Sequence, residues 1–399
     1  MRADKSAMNL KNFSKTDLFK PESFLLFYLA YILITVLSFF SGLPIKKPSL
    51  LGFAVIFATF PFFLLGVKFG KRLHGKKIPQ VMPFLYVALS SVFYALVVAN
   101  FYKINLYLSI LICFSGFAIL YLVLLKRGSL PLKSFKGPAV LMLIGAASLL
   151  FSFFQIKGVP LLNPSLKIGL LYSTAFGAAM LLFIIGFSFL MPQIKSNKKF
   201  LVLLILGTAL FLLSLYRGAT VITFLTGVLI AYYAKKFDTK KIFLALIILI
   251  LIIFFVGYLA RPILSPAKLF LFRAGTTHVV FDEIVQKSMP FGYTHGTLFF
   301  KGNPRDFVGT EIMGGNANLT YTILGQAVLD FGIAGAIVWM FILGAILKIA
   351  HLSMKAKGFE GFYPLLFSVS LVFIEIGADQ FFLLFYFVFL MAYIAKFRN

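Results

Sequence analysis

Residues 242–260 read IFLALIILILIIFFVGYLA, and this apolar run decides the fold class. The run is close to the length of about 20 residues that crosses a hydrocarbon core. It ends at Arg261, and similar runs fill most of the 399-residue chain, which is 61% hydrophobic and 17% aromatic. Soluble domains contain about 45–50% apolar residues. The sequence therefore predicts an all-α, multi-pass membrane protein.

The apolar runs number about twelve, and each is predicted to be a transmembrane helix, although several are shorter than a full crossing. The segment 1–22 before the first run is polar and basic, and it fits either a short helix on the membrane surface or a disordered tail. The first run is too long for the core of a signal peptide, so it is interpreted as a retained helix. The predicted spans are residues 23–41, 50–67, 81–101, 106–125, 139–154, 168–191, 200–216, 219–234, 242–260, 333–349, 362–377 and 381–395.

The basic residues determine the predicted orientation. The chain has 38 Lys and Arg against 12 Asp and Glu, and most of the cations fall in short clusters on alternate connections. Because cytoplasmic loops carry the excess of Lys and Arg, both termini are predicted to be cytoplasmic and the protein is expected in the cytoplasmic membrane. Such clustering argues against a nucleic-acid partner. The single cysteine, Cys113, excludes an intrachain disulfide.

The last third of the chain interrupts the simple succession of spans. Residues 317–329 are moderately apolar but short for a crossing, so they predict a dipping or interfacial helix that turns at Gly332 before the next span. No internal repeat is visible, which weighs against a carrier built from inverted repeats. The predicted organisation is a cytoplasmic basic segment (1–22), nine transmembrane helices (23–260), an extracytoplasmic active-site loop (261–317), a re-entrant or interfacial helix with three more spans (318–395) and a cytoplasmic tail (396–399).

The predicted outer loop concentrates ionisable side chains. A membrane protein has little reason to keep so many charges on one connection unless they meet a polar ligand, so we interpret the loop as an active site. The residues concerned are Arg261, Arg273, His278, Asp282, Glu283, His295, Lys301, Arg305 and Glu311.

Three further charges lie at predicted outer membrane ends. Arg217 stands between two apolar runs, where it either faces a water-filled cavity or is a turn residue that reaches lipid headgroups. Glu375 and Asp379 occupy the last outward hairpin. They could line the same cavity, pair with an arginine such as Arg217, or cap the hairpin.

An outward pocket of this kind would suit a lipid-linked diphosphate. Arginine forms paired hydrogen bonds with phosphate oxygens and keeps its charge at every relevant pH. It could stabilise a departing diphosphate without a metal, and no DxD-like pair occurs in an outer loop, so neither a metal nor a cofactor is expected. The predicted diphosphate ligands are Arg217, Arg273, Arg305 and Arg261.

A lipid diphosphate that is joined to a sugar is an activated glycosyl donor. Transfer of the sugar also needs a base that takes the proton of the acceptor hydroxyl. His278 and His295 are the histidines of the predicted outer loop, and an unperturbed imidazole titrates at about 6.5, close to working pH. Either histidine could instead be a bystander. Asp282, Glu283 and Glu311 are rival bases.

Short motifs in their order along the chain carry a resemblance. They are YRGA at 216–219, LFRAG at 271–275, GYTHGTL at 292–298 with NPR at 303–305, and ILGQ at 323–326 followed by DFGIAG at 330–335. Together they resemble the oligosaccharide repeat-unit polymerases, the O-antigen polymerase family, which are GT-C-like membrane glycosyltransferases related to O-antigen ligases. Two departures are Gln326, where the family often has Glu, and the absence of Lys-Pro after Arg305.

The resemblance implies a polymerase that transfers a growing glycan from a polyprenyl diphosphate carrier to the hydroxyl of another lipid-linked unit, outside the membrane. It implies that Arg217, Arg273 and Arg305 bind the diphosphate and that His295 or His278 activates the acceptor. A ligase of the same superfamily and a flippase or transporter of lipid-linked oligosaccharide are the alternatives. Candidate partners are the lipid-linked donor and acceptor, membrane lipids, a chain-length regulator and a flippase. The residues expected to line the substrate cavity are Lys301, Tyr293, Gln326, Glu375 and Asp379.

Overall fold

The computed structural model describes residues 17–79, 81–102, 104–127, 136–171, 174–260, 264–300, 304–315, 319–356, 358–378 and 380–397. Regular structure in these ranges is helical and contains no β-strand, so the predicted all-α class is confirmed. The α-helices are α1 (Ser23–Phe39), α2 (Leu50–Leu73), α3 (Met82–Tyr102), α4 (Leu106–Arg127), α5 (Lys136–Gln155), α6 (Lys167–Leu171), α7 (Thr174–Leu190), α8 (Asn197–Leu213), α9 (Arg217–Tyr233), α10 (Thr239–Ala260), α11 (Pro266–Ser288), α12 (Pro304–Phe307), α13 (Gly325–Ser353), α14 (Phe362–Ile376) and α15 (Gln380–Phe397).

Each predicted apolar run lies on one of these helices, except that the run 168–191 is divided between α6 and α7. In the described parts of the chain, six helices are long and apolar enough to cross a membrane, and shorter apolar helices accompany them. The protein is therefore a multi-pass membrane protein. Twelve crossings and cytoplasmic termini remain predictions. The long candidate spans are Leu50–Leu73, Met82–Asn100, Lys136–Gln155, Phe176–Gln193, Lys240–Leu259 and Gly325–Ser353.

One compact unit comprises the described residues within 17–20, 136–270 and 353–372. Helices α5 and α7 pack tightly in it, because glycines let the two backbones approach. A Cβ added at Gly145 would lie 2.5 Å from Phe183 N, and one added at Gly186 would lie 2.5 Å from Met142 N.

The described start of the chain is anchored in the same unit. The carbonyl of Phe19 accepts hydrogen bonds from the hydroxyls of Tyr233 and Tyr363. The Leu18 N–H donates to the Tyr232 hydroxyl at 3.2 Å. Residues 1–16, where a surface helix or a tail is predicted, lie outside the described residues.

The second compact unit comprises Pro21–Leu130, Leu271–Leu352 and Phe373–Asn399. Helices α2 and α13 cross closely here, since a Cβ at Gly66 would lie 2.0 Å from Phe341 O and one at Gly344 would lie 2.3 Å from Phe63 O. This unit contains most of the charged residues that the sequence singles out.

The last third of the chain departs from the prediction in two ways. The segment predicted as the loop 261–317 contains a long helix, α11, which runs from Pro266 to Ser288. The helix before the predicted turn starts at Gly325 rather than at residue 317, because Gly325 N–H closes a turn on Thr322 O at 2.8 Å and residues 319–322 are not helical. As the sequence predicts, the helix breaks at Gly332, whose φ is 63° and ψ is −148°.

Candidate active site

Helix α11 carries four of the predicted site residues of the second unit. Arg273, His278, Asp282 and Glu283 follow one another over successive turns of this helix. α11 is not among the apolar helices that could span a membrane in the described chain. The helix is thus a polar element in a protein of apolar helices. Three other predicted site residues, Arg261, Lys301 and Asp379, lie outside the described residues.

Arg273 forms an ion pair with Glu375, which lies near the end of α14. The Arg273 Nε–H donates to Glu375 Oε1, and the two side chains are 32% and 26% exposed. Among the described residues, no group hydrogen-bonds the terminal Nη atoms of Arg273. A carboxylate that binds Nε fixes the plane of the guanidinium and leaves the Nη fork for a second anion. The predicted ion-pairing role of Glu375 is thus present, with Arg273 as its partner.

Hydroxyl groups surround this pair. Tyr31 on α1 lies within electrostatic range of both Arg273 and Glu375. One turn along α11 from Arg273, the Thr277 hydroxyl hydrogen-bonds the Thr320 hydroxyl at 3.0 Å. The charged pair therefore lies next to neutral polar groups on α1, on α11 and in the segment before α13.

The Asp282 carboxylate binds backbone and side-chain groups at the N-terminus of α2. Its carboxylate accepts hydrogen bonds from Ser49 N at 2.8 Å, Ser49 Oγ at 2.7 Å, Gly52 N at 3.0 Å and Gln286 Nε2 at 2.8 Å. The side chain is buried, and a helix N-terminus favours negative charge. These contacts favour a structural role for Asp282 over its predicted role as a base.

We expect Asp282→Ala to lower the free energy of unfolding by about 2–4 kcal/mol, because it leaves the buried N–H of Gly52 and the part-buried N–H of Ser49 at the start of α2 without their acceptor. Thermal unfolding of the purified protein in detergent measures the loss. The matched control is Glu283→Ala, since the salt-bridge partner of Glu283 within the described ranges is Lys46, whose side chain is 72% exposed. That change is expected to cost less than about 1 kcal/mol. Unchanged stability of the Asp282 variant with lost activity would instead support a catalytic role.

The two candidate histidines have opposite environments. His278 is 2% exposed, and its ring stacks on Phe53 with centroids 3.9 Å apart. Burial lowers the pKa of His278 to about 4, against the opposing charge of Asp282, so the imidazole is neutral at pH 7. His295 is exposed, and its φ of 49° is left-handed, a strained conformation that occurs more often at functional sites. The geometry therefore favours His295 as the histidine that contacts a ligand.

Asp330 holds the loop that carries His295. Thr294 Oγ1 donates to Asp330 Oδ1 at 2.6 Å, and Leu298 N–H donates to the same oxygen at 3.0 Å. The N–H groups of Tyr293 and Thr294 donate to Leu329 O at 2.7 and 3.0 Å. Asp330 is fully buried, so the loop is held by hydrogen bonds on its buried side. The side chains of Tyr293 and His295 are exposed.

Comparison with known proteins decides the family. The family described as "Putative O-antigen polymerase" matches residues 17–387, nearly the whole chain. The chain belongs to this O-antigen polymerase family.

Two relatives of this O-antigen polymerase family member are uncharacterized proteins of Methanocaldococcus jannaschii. One is 26% identical over 285 residues, which cover 66% of this chain and 78% of the relative. The other is 23% identical over 401 residues, which cover 94% of this chain and 92% of the relative. No solved structure matches the chain. Family membership indicates glycan polymerisation at a membrane.

Arg217, in the first of the motifs that resemble the O-antigen polymerases, lies in the other compact unit. It is the first residue of α9, and its side chain is half-buried. A Cβ at Gly257 would lie 3.1 Å from Arg217 Nη2, so a glycine on α10 makes room for the guanidinium. Whether Arg217 and Arg273 bind one diphosphate remains a prediction.

The candidates Arg305 and Glu311 lie on or beside a short turn of π-helix, Val308–Ile312. Glu311 in this turn is exposed, and the ammonium of Lys287 donates to Ile312 O at 2.7 Å. Arg305 precedes the turn and is half-buried. Among the described residues, no group of three or more His, Cys, Asp and Glu side chains could hold a metal ion.

Four further polar residues of the second unit are not distinguished by the sequence, because they lie in stretches that read as apolar spans or connections. Tyr28 and Tyr31 lie on α1, and their spacing places both hydroxyls on one face of the helix. Thr277 on α11 and Thr322 before α13 are almost fully buried. The pair of tyrosines three residues apart in an apolar helix was the available signal.

Proposed function

We propose that this protein is a membrane glycosyltransferase that polymerises lipid-linked oligosaccharide repeat units. The match of the O-antigen polymerase family to residues 17–387 carries the proposal. The enzyme transfers the growing glycan from a polyprenyl diphosphate carrier to a hydroxyl of another lipid-linked unit. The reaction takes place at the outer side of the cytoplasmic membrane, because the charge pattern of the sequence predicts that side for the segment that contains α11.

Arg273 binds the diphosphate of the donor in this proposal. Glu375 orients the guanidinium through Nε, and the Nη fork is left for phosphate oxygens. When the bond between the anomeric carbon and the diphosphate breaks, negative charge builds up on the departing oxygen. A fixed guanidinium stabilises that charge more strongly than water does, so Arg273 contributes to the rate without a resident metal ion. Arg305 and Arg217 are further proposed ligands of the diphosphate.

His295 activates the acceptor in the same scheme. Its imidazole takes the proton of the acceptor hydroxyl while the oxygen of that hydroxyl forms the new bond to the anomeric carbon. The donor loses its diphosphate with both electrons of the broken bond. The exposed position of His295 on a loop fixed by Asp330 supports this role. Proposed partners are the two lipid-linked substrates, membrane lipids, a chain-length regulator and a flippase.

The experiment that tests the proposal uses the purified protein in liposomes with lipid-linked repeat units as the only glycan. We expect a ladder of products whose lengths differ by one repeat unit, because each product remains a donor for the next transfer. Gel electrophoresis of the extracted lipids measures it, and liposomes without protein are the control. Single units transferred to another lipid or protein would identify a ligase. Movement of intact substrate across the bilayer without a new glycosidic bond would identify a flippase.

A further inference from the structure

Five buried polar atoms in the second compact unit have no hydrogen-bond partner of normal geometry among the described residues. They are the hydroxyls of Tyr28, Tyr31 and Thr322 and both polar atoms of the Gln326 amide. We call these four residues the orphan polar cluster. Gln326 is 2% exposed and Thr322 is 1% exposed, so bulk water does not reach them freely.

The cluster lies beside Arg273. Tyr31 is within electrostatic range of Arg273 and faces Thr277, and Thr277 in turn hydrogen-bonds Thr320 at 3.0 Å. Two residues further along the chain, Thr322 faces the Tyr28 hydroxyl. Neutral polar groups thus extend from the guanidinium to Thr322, which lies four positions before Gln326 in the sequence.

The segment that carries Thr322 and Gln326 is held rigidly. The Tyr321 ring packs against two glycines, since a Cβ at Gly325 would lie 2.6 Å from its Cδ2 and one at Gly377 would lie 2.5 Å from its Cε2. Gly377 follows closely after Glu375, the partner of Arg273. The ion pair and the orphan polar cluster are therefore fixed relative to each other through Tyr321.

The chemistry of the cluster indicates its ligand. The hydroxyls of Tyr28 and Tyr31 have Thr322 and Thr277 as side-chain hydrogen-bond neighbours, so the Gln326 amide is the group of the cluster that is fully without a partner within the described part of the chain. A buried polar group in this state costs about 1–3 kcal/mol, which a bound ligand would recover. An amide offers a donor and an acceptor, and it matches a ligand that offers both. Sugar hydroxyls and an acetamido group do so, whereas a diphosphate offers acceptors alone.

We propose that the orphan polar cluster binds the sugar that is attached directly to the diphosphate of the donor. Gln326 and Thr322 bind hydroxyl or acetamido groups of this sugar, and Tyr28 and Tyr31 complete the site. The proposal rests on the proposed function, because the diphosphate bound by Arg273 places the sugar next to the cluster. It adds a residue-level site for sugar selection to that function.

The test compares three probes bound to the full-length protein in detergent: geranylgeranyl diphosphate, its N-acetylglucosamine conjugate and its glucose conjugate. For the wild type we expect at least one conjugate to bind more tightly than the diphosphate alone, and the stronger conjugate tells whether an acetamido group or hydroxyls are read. Gln326→Leu is expected to reduce this advantage by about tenfold, the effect of one or two lost hydrogen bonds, and to keep the affinity for the diphosphate alone. Titration calorimetry measures the affinities.

Two further measurements separate ligand binding from a structural role. The unliganded Gln326→Leu protein is expected to melt at the same temperature as the wild type or higher, because an apolar side chain replaces an unpartnered amide. Thr322→Val tests the second residue in the same way. Thr223→Val is the matched control, since Thr223 is fully buried with an unpartnered hydroxyl but lies on α9 in the other unit. Its affinities for all three probes should equal those of the wild type.

The outcomes are distinct. Equal affinity of the wild type for the diphosphate and both conjugates, or an unchanged sugar advantage in Gln326→Leu, would overturn the sugar site and leave the proposed function standing. Absence of any binding of geranylgeranyl diphosphate to the wild type would contradict the proposed diphosphate site and the sugar site with it. A Gln326→Leu protein that melts well below the wild type would assign the amide a structural role.

Discussion

Replacing Arg273 with alanine is expected to abolish the ladder of glycan products and to weaken binding of a prenyl diphosphate by about a hundredfold. The guanidinium can donate two parallel charge-assisted hydrogen bonds to phosphate oxygens, each worth about 1.5–3 kcal/mol. The ammonium group of a lysine cannot form this paired arrangement. Arg273→Lys should therefore bind more weakly than the wild type, although it keeps the charge. The measurements are the gel assay with lipid-linked units and titration with geranylgeranyl diphosphate.

The variant also leaves Glu375 part-buried without its partner, which lowers stability for a reason unrelated to catalysis. The double variant Arg273→Ala with Glu375→Gln removes that unpaired charge. We expect it to recover the melting temperature lost by the single variant but not the chain growth. Lys46→Ala, which breaks the exposed pair with Glu283 in the same unit, serves as the control and should retain the ladder. Recovery of chain growth in the double variant would show that Arg273 only neutralises Glu375.

The helical elements could be predicted from local signals. Apolar runs of about 17–25 residues specify helices without reference to the rest of the chain. The break in α13 was also readable, because Asp330-Phe331-Gly332 interrupts an apolar pattern with a residue that tolerates any backbone conformation. The start of that helix could not be predicted, since residues 319–324 are apolar enough to belong to it. In the structure they precede the helix, and a turn closes there with a hydrogen bond from Gly325 N–H to Thr322 O.

The contacts of the candidate site could not be predicted, because they join residues far apart in the sequence. Arg273 and Glu375 are separated by 102 positions, and Asp282 accepts hydrogen bonds from Ser49 across 233. No local pattern distinguishes an aspartate that caps a distant helix from one that acts as a base. The charged residues could be picked out from the sequence, but their division into candidate ligand-binding residues and residues with structural contacts required the fold.

Replacing Gly332 with alanine is expected to lower the free energy of unfolding by about 3 kcal/mol or more. The backbone at Gly332 has φ 63° and ψ −148°, which only glycine adopts readily. An added Cβ would also lie 1.9 Å from Pro290 O, so the chain before the His295 loop would have to move. Chain growth should fall together with stability, because Asp330 could no longer hold that loop in place.

Thermal unfolding in detergent and the gel assay measure these two effects, and two other glycines calibrate them. Gly292→Ala meets the same obstacle from the opposite side, since its φ is 91° and its Cβ would lie 2.4 Å from Asp330 O, so it should be nearly as harmful. Gly116→Ala on α4 meets no atom within 4 Å, and it should be neutral or slightly stabilising because alanine favours a helix by about 1 kcal/mol. If the Gly332→Ala and Gly116→Ala proteins had the same melting temperature, α13 would not break at Gly332. The close packing of its kink against the His295 loop would then also be wrong.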